Sequence, residues 1–145
     1  MAADVTNDQN LTLEQIDGQA WGDPPADASR LVQTVHALRR KPVQQLSAED
    51  LRVLLSQQVS PDVLVSRALD LLEQNPLAEG DYYPGDLLVG VLKLPVEFWQ
   101  GHAELAKRLE QVISTVTAME LEAHYAPADV IMAAVEGYRR GVRSR

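Results

Sequence analysis

The sequence predicts an all-α, single-domain bundle of about six main helices plus a short N-terminal one. Three observations lead there. Aromatic residues make up only 5% of the chain while Leu, Val and Ala supply most of its apolar content, a composition that disfavours a β-sandwich. Apolar residues recur with helical period in one segment after another. Proline, glycine and capping residues separate those segments at short intervals, and no segment repeats another at a fixed period. A length of 145 residues suits one hydrophobic core that needs no staples. There is no cysteine, which excludes disulfides, thiolate metal sites and a cysteine nucleophile.

The elements follow in order. Residues 1–11 read as a flexible polar N-terminus. Thr12 and Gln15 have capping-box spacing, and Gly18 closes a short helix. Gln19–Ala28, with Trp21, Gly22, Pro24 and Pro25, is a loop. Ser29 caps a helix with Leu31, Val32, Val35 and Leu38 on one face; Arg39, Arg40 and Lys41 fall in its last turn, where cations suit the helix dipole, and Pro42 ends it. Ser47 caps the next, with Glu49 and Asp50 in its first turn, Leu51, Leu54 and Leu55 on its apolar face, and an end near Gln58. Pro61 starts another at the first helical position, with Leu64, Val65, Ala68, Leu69, Leu71 and Leu72 as a wide apolar face and Asn75-Pro76 as its stop. Pro76–Gly85 is a loop of turn formers and acids. Asp86 caps a short apolar helix, Leu87–Leu92, expected at the centre of the core. After Pro95, Val96–Trp99 forms one more turn. The longest helix is expected from about Ala103 to about Ala123, with Leu105, Leu109, Val112, Ile113, Val116 and Met119 on one stripe. Beyond Ala126-Pro127, Val130, Ile131, Ala134, Val135 and Tyr138 mark the last helix. The domain spans 12–140, and 141–145 form a basic tail.

Charge narrows the function. The formal net charge is −8. Arg139, Arg140, Arg143 and Arg145 crowd the last seven positions, leaving nine basic against 20 acidic residues over 1–135. Such a body repels phosphate backbones and attracts basic partners. Arg39-Arg40-Lys41 and the C-terminal arginines are the only basic features, so a small DNA-binding regulator using these Arg-rich ends is the alternative reading. Residues 1–10 carry no secretory signal, and the longest apolar run, Leu87–Leu92, falls far short of the ~20 residues a membrane span needs. A cytoplasmic protein is expected.

Catalytic and metal motifs are lacking. There is no His-Glu-x-x-His pair, and Gly80, Gly85 and Gly90 are too widely spaced for a phosphate loop. His36, His102 and His124 are far apart; His124, at a helix end, reads as a cap. Glu79, Asp81 and Asp86 are hard oxygen donors within eight residues but lack the alternation and closing glutamate of an EF-hand. No cofactor, metal or enzymatic activity is expected.

The most unusual segment is Asn75–Leu88, NPLAEGDYYPGDLL, two adjacent tyrosines among three carboxylates, two prolines and two glycines, with Glu97 and Trp99 close behind. Tyrosine and tryptophan give large contact area at low entropic cost, and neighbouring carboxylates can pair with a partner's Lys or Arg. Packing explains part of the same pattern: at least one tyrosine is expected in the core and Asp86 as a cap.

Three stretches resemble the immunity proteins of bacterial contact-dependent growth inhibition (CDI) systems: Thr12-Leu-Glu-Gln-Ile-Asp-Gly with Trp21-Gly; Leu38-Arg-Arg-Lys-Pro42 with Leu46-Ser-Ala-Glu-Asp-Leu-Arg52 and Gln57-Gln58; and Asn75–Leu88 followed by Phe98-Trp99. Together they cover roughly residues 12–100. The resemblance implies a non-enzymatic protein that binds the C-terminal toxin domain delivered by a neighbouring cell, often a nuclease, and blocks its active site or substrate cleft. On that reading Glu79, Asp81 and Glu97 are expected to pair with toxin Lys/Arg, and Tyr82, Tyr83 and Trp99 to anchor the contact. One loop is too small for a standard interface, so a second surface is expected to contribute.

Overall fold

The computed structural model describes residues 10–143, which form eight α-helices and two 3-10 turns with no strand among them. The helices are α1 (Leu13–Asp17), α2 (Arg30–Leu38), α3 (Ala48–Ser56), α4 (Pro61–Gln74), α5 (Asp86–Leu92), α6 (Val96–Gln100), α7 (Ala103–Thr117) and α8 (Ala128–Arg143). The expected all-α bundle is therefore what the chain forms. Residues 1–9 and 144–145, and with them most of the N-terminal segment and the end of the basic tail, lie outside the described residues. α8 runs to Arg143, three residues into the segment read as that tail.

Local chemistry sets the starts of the helices. Thr12 with Gln15 and Ser47 with Asp50 each form a reciprocal capping box, in which the hydroxyl accepts the N3 amide and the N3 side chain accepts the cap amide. The Ser29 hydroxyl accepts the Val32 amide at the head of α2. α3 ends in a Schellman turn: the Val59 amide donates to the Leu54 carbonyl and the Gln58 amide to the Leu55 carbonyl. Gln58 occupies the left-handed position that usually holds glycine.

α5 is the centre of the molecule. Leu87, Leu88, Val89, Val91 and Leu92 are all buried, and the helix packs against α3, α4 and α8. Those five side chains contribute of the order of 10 kcal/mol of burial. Gly85 lies against Ile131 and Leu77 at one end of α5, while Val96, just past the other end, lies against Gly141. α5 and α8 are thus parallel, and the loop before α5 and the α7–α8 connection share one end of the bundle.

Several expectations are corrected. α2 stops at Leu38, so Arg39, Arg40 and Lys41 are not in its last turn. Arg39 is only 1% exposed. Its guanidinium donates to the Asp17 carboxylate at 3.1 Å and the Gln19 carbonyl at 2.7 Å and sits 4.2 Å from the centre of the Trp21 ring. Arg40 pairs with Glu14 and Asp23, and Lys41 with Asp50. Arg39 and Arg40 are spent on holding residues 11–23 and Lys41 on Asp50 of α3, which leaves little of the basic cluster for DNA. Val35 and Leu38 are buried, but Leu31 and Val32 are exposed because no element among the described residues covers the first turn of α2. α7 ends at Thr117, not near Ala123: the Ala118 and Met119 amides turn back to the Thr115 and Val116 carbonyls, and a 3-10 turn, Leu121–His124, follows. α8, with 16 residues, is therefore the longest helix. His124 lies in that 3-10 turn, exposed, and caps no α-helix. Val130, expected inward, is exposed.

Candidate functional site

The site is the loop Asn75–Gly85, and the side chains of Asn75, Glu49 and Asp86 give it a fixed shape. The Asn75 side chain accepts the Leu77 amide, an Asx turn that leads out of α4. At the tip, three successive amides are held by two side chains behind them. Gly80 and Tyr82 donate to the two oxygens of Asp86 at 2.6 and 3.0 Å, and Asp81 between them donates to Glu49 Oε1 at 2.9 Å. The loop closes with Gly85 donating to Leu77 O and Asp86 to Tyr83 O. Gly85 has a φ of +96°, and a Cβ there would lie 2.7 Å from Ile131 Cδ1, so the close turn requires glycine.

Asp86 therefore does something other than cap α5. It is 3% exposed, and its carboxylate points back into the loop, where the two amides use it. Glu49 is the second support. Arg52, one turn along α3, grips it with two hydrogen bonds of 2.7 and 2.6 Å and also lies 4.5 Å from the centre of the Tyr82 ring. Those Arg52 bonds, with the Asp81 amide adding to them, hold the Glu49 carboxyl below its ordinary range in spite of its partial burial. Burial raises the Tyr83 hydroxyl, and Asp86 nearby adds to the effect. The result is a preorganised tip whose backbone is pinned and whose outer side chains are exposed.

The structure sorts the six predicted residues. Glu79 and Asp81 project as exposed side chains, and Tyr82 is 69% exposed over Arg52. Tyr83 packs partly on the core. Glu97 is exposed on α6, beyond the far end of α5, with about 10 Å of helix between it and the loop. Trp99 is 2% exposed and packs edge-on against Tyr138. It is a core residue, packed against Tyr138 of α8 and left with almost no exposed surface. The loop thus gathers Glu79, Asp81, Tyr82 and Tyr83 and excludes Glu97 and Trp99.

Four further residues at the same end escaped the sequence reading. Tyr125, in the α7–α8 connection, is 90% exposed in a left-handed conformation, with Glu120, Glu122 and Asp129 exposed beside it in the chain. The signal was available in the spacing of cations. There is no Lys or Arg from 68 to 92 or from 109 to 138, the two stretches that meet here, and each carries five acids. Arg108 neutralises Asp70 and Glu73, Arg139 neutralises Glu110, and Asp86 is buried. What is left outward is carboxylate and tyrosine.

No cluster of three His, Asp or Glu side chains arranged to hold a metal occurs among the described residues, and no helix among them is long and apolar enough to cross a membrane. A family model described as CDI immunity proteins matches residues 15–109. The chain belongs to that family. The immunity-protein match takes in Asp17, Trp21, Arg39, Glu49, Arg52, the whole loop and Asp86, and stops short of the α7–α8 connection and α8. No curated protein and no solved structure matches the chain. Family membership gives this immunity protein a function directed against a CDI toxin and a toxin protein as its partner.

Proposed function

We propose that the protein neutralises one cognate toxin domain by stoichiometric binding, without catalysis, in the cytoplasm, and that this toxin is a nuclease whose substrate cleft it occludes. One observation carries the reading: the end of the bundle that bears the pinned loop presents exposed Tyr82 and Tyr125 beside Glu79, Asp81, Glu120 and Glu122, exposed carboxylates that form no ion pair among the described residues. A cleft that binds nucleic acid is basic, and carboxylates on a fixed frame stand in for phosphates there. Glu79 and Asp81 pair with toxin Lys or Arg, Tyr82 anchors the contact, and Tyr83 supports it from beneath. The connection carrying Glu120, Glu122 and Tyr125 is the second surface that a standard interface of about 800 Å² per partner requires.

The test is growth. The toxin domain encoded beside this gene is expressed in a susceptible cell with and without the protein, and the purified toxin is assayed on RNA and DNA. Rescue by this protein and not by an unrelated immunity protein supports the reading. Rescue with a toxin that cuts neither nucleic acid refutes the nuclease part. Glu79→Lys with Asp81→Lys is expected to weaken protection while the helical circular dichroism stays unchanged. Full protection by that variant removes the loop from the interface.

A further inference from the structure

A groove of about 600 Å³ runs along the outward side of α8, and none of the described residues fills it. Val130, Ala133, Gly137, Gly141 and Val142 form one wall; Val96 and Trp99 stand in the other. Two glycines on its wall have no explanation in the packing of one chain. Gly137 sits in the middle of a helix at an ordinary helical φ, and a Cβ there would meet nothing within 4 Å. At Gly141 a Cβ would make only a normal 3.8 Å contact with Val96. Glycine weakens a helix relative to alanine, so internal packing gives no reason for either.

The pattern along α8 is close to symmetrical. Val130 and Val142 are equidistant from position 136, as are Asp129 and Arg143. Positions 130, 133, 137 and 141 follow the helical 3-4-4 spacing of one ridge. Asp129 and Arg143 stand two heptads apart on one flank of that ridge. Two antiparallel helices bring the same flank of each copy together, so opposite charges then meet at both ends. A second copy of the chain is the partner whose charge order matches.

We propose that this groove is a self-association surface: two copies pack their α8 helices antiparallel about a two-fold axis near position 136, Gly137 and Gly141 admit the neighbouring backbone, and Asp129 of each copy pairs with Arg143 of the other. Glu136 then opposes its own copy near the axis, which weakens the pair. Helices about 24 Å long give an interface below standard size, so association is concentration-dependent.

Sedimentation equilibrium of the full chain over a wide concentration range tests this. The expected result is a mass that climbs from one chain to two. Gly137→Leu abolishes the climb. Asp129→Arg raises the dissociation constant about tenfold, Arg143→Asp does the same, and the two together restore it. Glu136→Gln lowers it. Helical circular dichroism, unchanged in every variant, separates loss of association from loss of fold. A single-chain mass at every concentration overturns the proposal, as does a two-chain mass that Gly137→Leu and Asp129→Arg leave untouched. If the protein is monomeric and Gly137→Leu instead abolishes toxin binding, the groove belongs to the toxin and the second copy is refuted.

Discussion

Asp86 and Arg39 show how much of this chain's chemistry faces inward. Asp86 leaves a buried carboxylate with two amide donors, so Asp86→Ala strands the Gly80 and Tyr82 N–H groups. A loss of about 1–3 kcal/mol in urea-unfolding free energy is expected, with toxin affinity falling further as the tip loses its shape. Arg39→Ala removes a side chain that pairs with Asp17 and stacks on Trp21, and is expected to cost about 2–4 kcal/mol while shifting Trp21 fluorescence toward that of a solvated ring. A cost under about 0.5 kcal/mol would show that residues 11–23 do not depend on the clamp. Neither role was readable in the sequence. Asp86 has the position of an N-cap, and Arg39 that of a helix-dipole cation; what distinguishes them is burial and a partner, Gly80 or Asp17, that only the fold brings near. Tyr82, by contrast, was legible as an exposed aromatic among acids, and Trp99 was not separable from it because an interface and a core use tryptophan alike.

Helix starts were legible and helix ends less so. Capping boxes at Thr12 and Ser47 and the proline at position 61 act within three or four residues, and the sequence displays them directly. The end of α7 has no glycine or proline to announce it, and the exposed first turn of α2 depends on whether another element happens to cover it. The end of α3 offers a direct test. Gln58 holds a left-handed Schellman position at φ 54°, which costs a non-glycine residue free energy. Gln58→Gly is expected to stabilise the protein by about 0.5–1 kcal/mol, read as a higher urea midpoint at unchanged slope. Gly85→Ala should act in the opposite direction by about 1–3 kcal/mol, because the new methyl group meets Ile131 as well as the backbone restriction. Equal effects of the two variants would mean that neither turn conformation matters.

The whole molecule carries its acidity in two forms. One is paired. The Asp17 carboxyl is lowered by the Gln19 amide and Arg39, Glu49 by Arg52, and Glu73 by Arg108; Asp50 is lowered because Lys41 and Ser47 outweigh its desolvation. Each binds its proton at lower pH in the folded than in the unfolded chain. Their contribution is therefore complete above the ordinary values of 3.8 and 4.5 and disappears as pH falls through the folded ones. Urea-unfolding free energy should be level near neutral pH and fall below about 4.5; a level profile down to about pH 3 would exclude these pairs as contributors. The other form is the unpaired end that bears Glu79, Asp81, Glu120 and Glu122. It acts at a distance, so the association rate with a basic toxin should fall roughly tenfold or more from low to physiological salt, while the dissociation rate changes little. Stopped-flow binding at two ionic strengths reads both.

The bond pattern at the N-terminal side has a dynamic consequence. Residues 11–23 join the bundle through the Val43 amide on the Leu11 carbonyl, the Glu14 amide on the Arg39 carbonyl, the side chains of Arg39 and Arg40, and His36 of α2, whose ring meets the Gly22 carbonyl and the Trp21 ring. Apart from His36, these attachments lead to the short segment 39–43, and Leu13 is the one buried apolar side chain of α1. Such a segment can detach as a unit without disturbing α5. In native-state hydrogen exchange, the Glu14 and Val43 amides should share one protection free energy several kcal/mol below that of the Val89 and Lys93 amides, which need global unfolding. Arg39→Ala should lower the first pair together and leave the gap between the second pair and full unfolding unchanged.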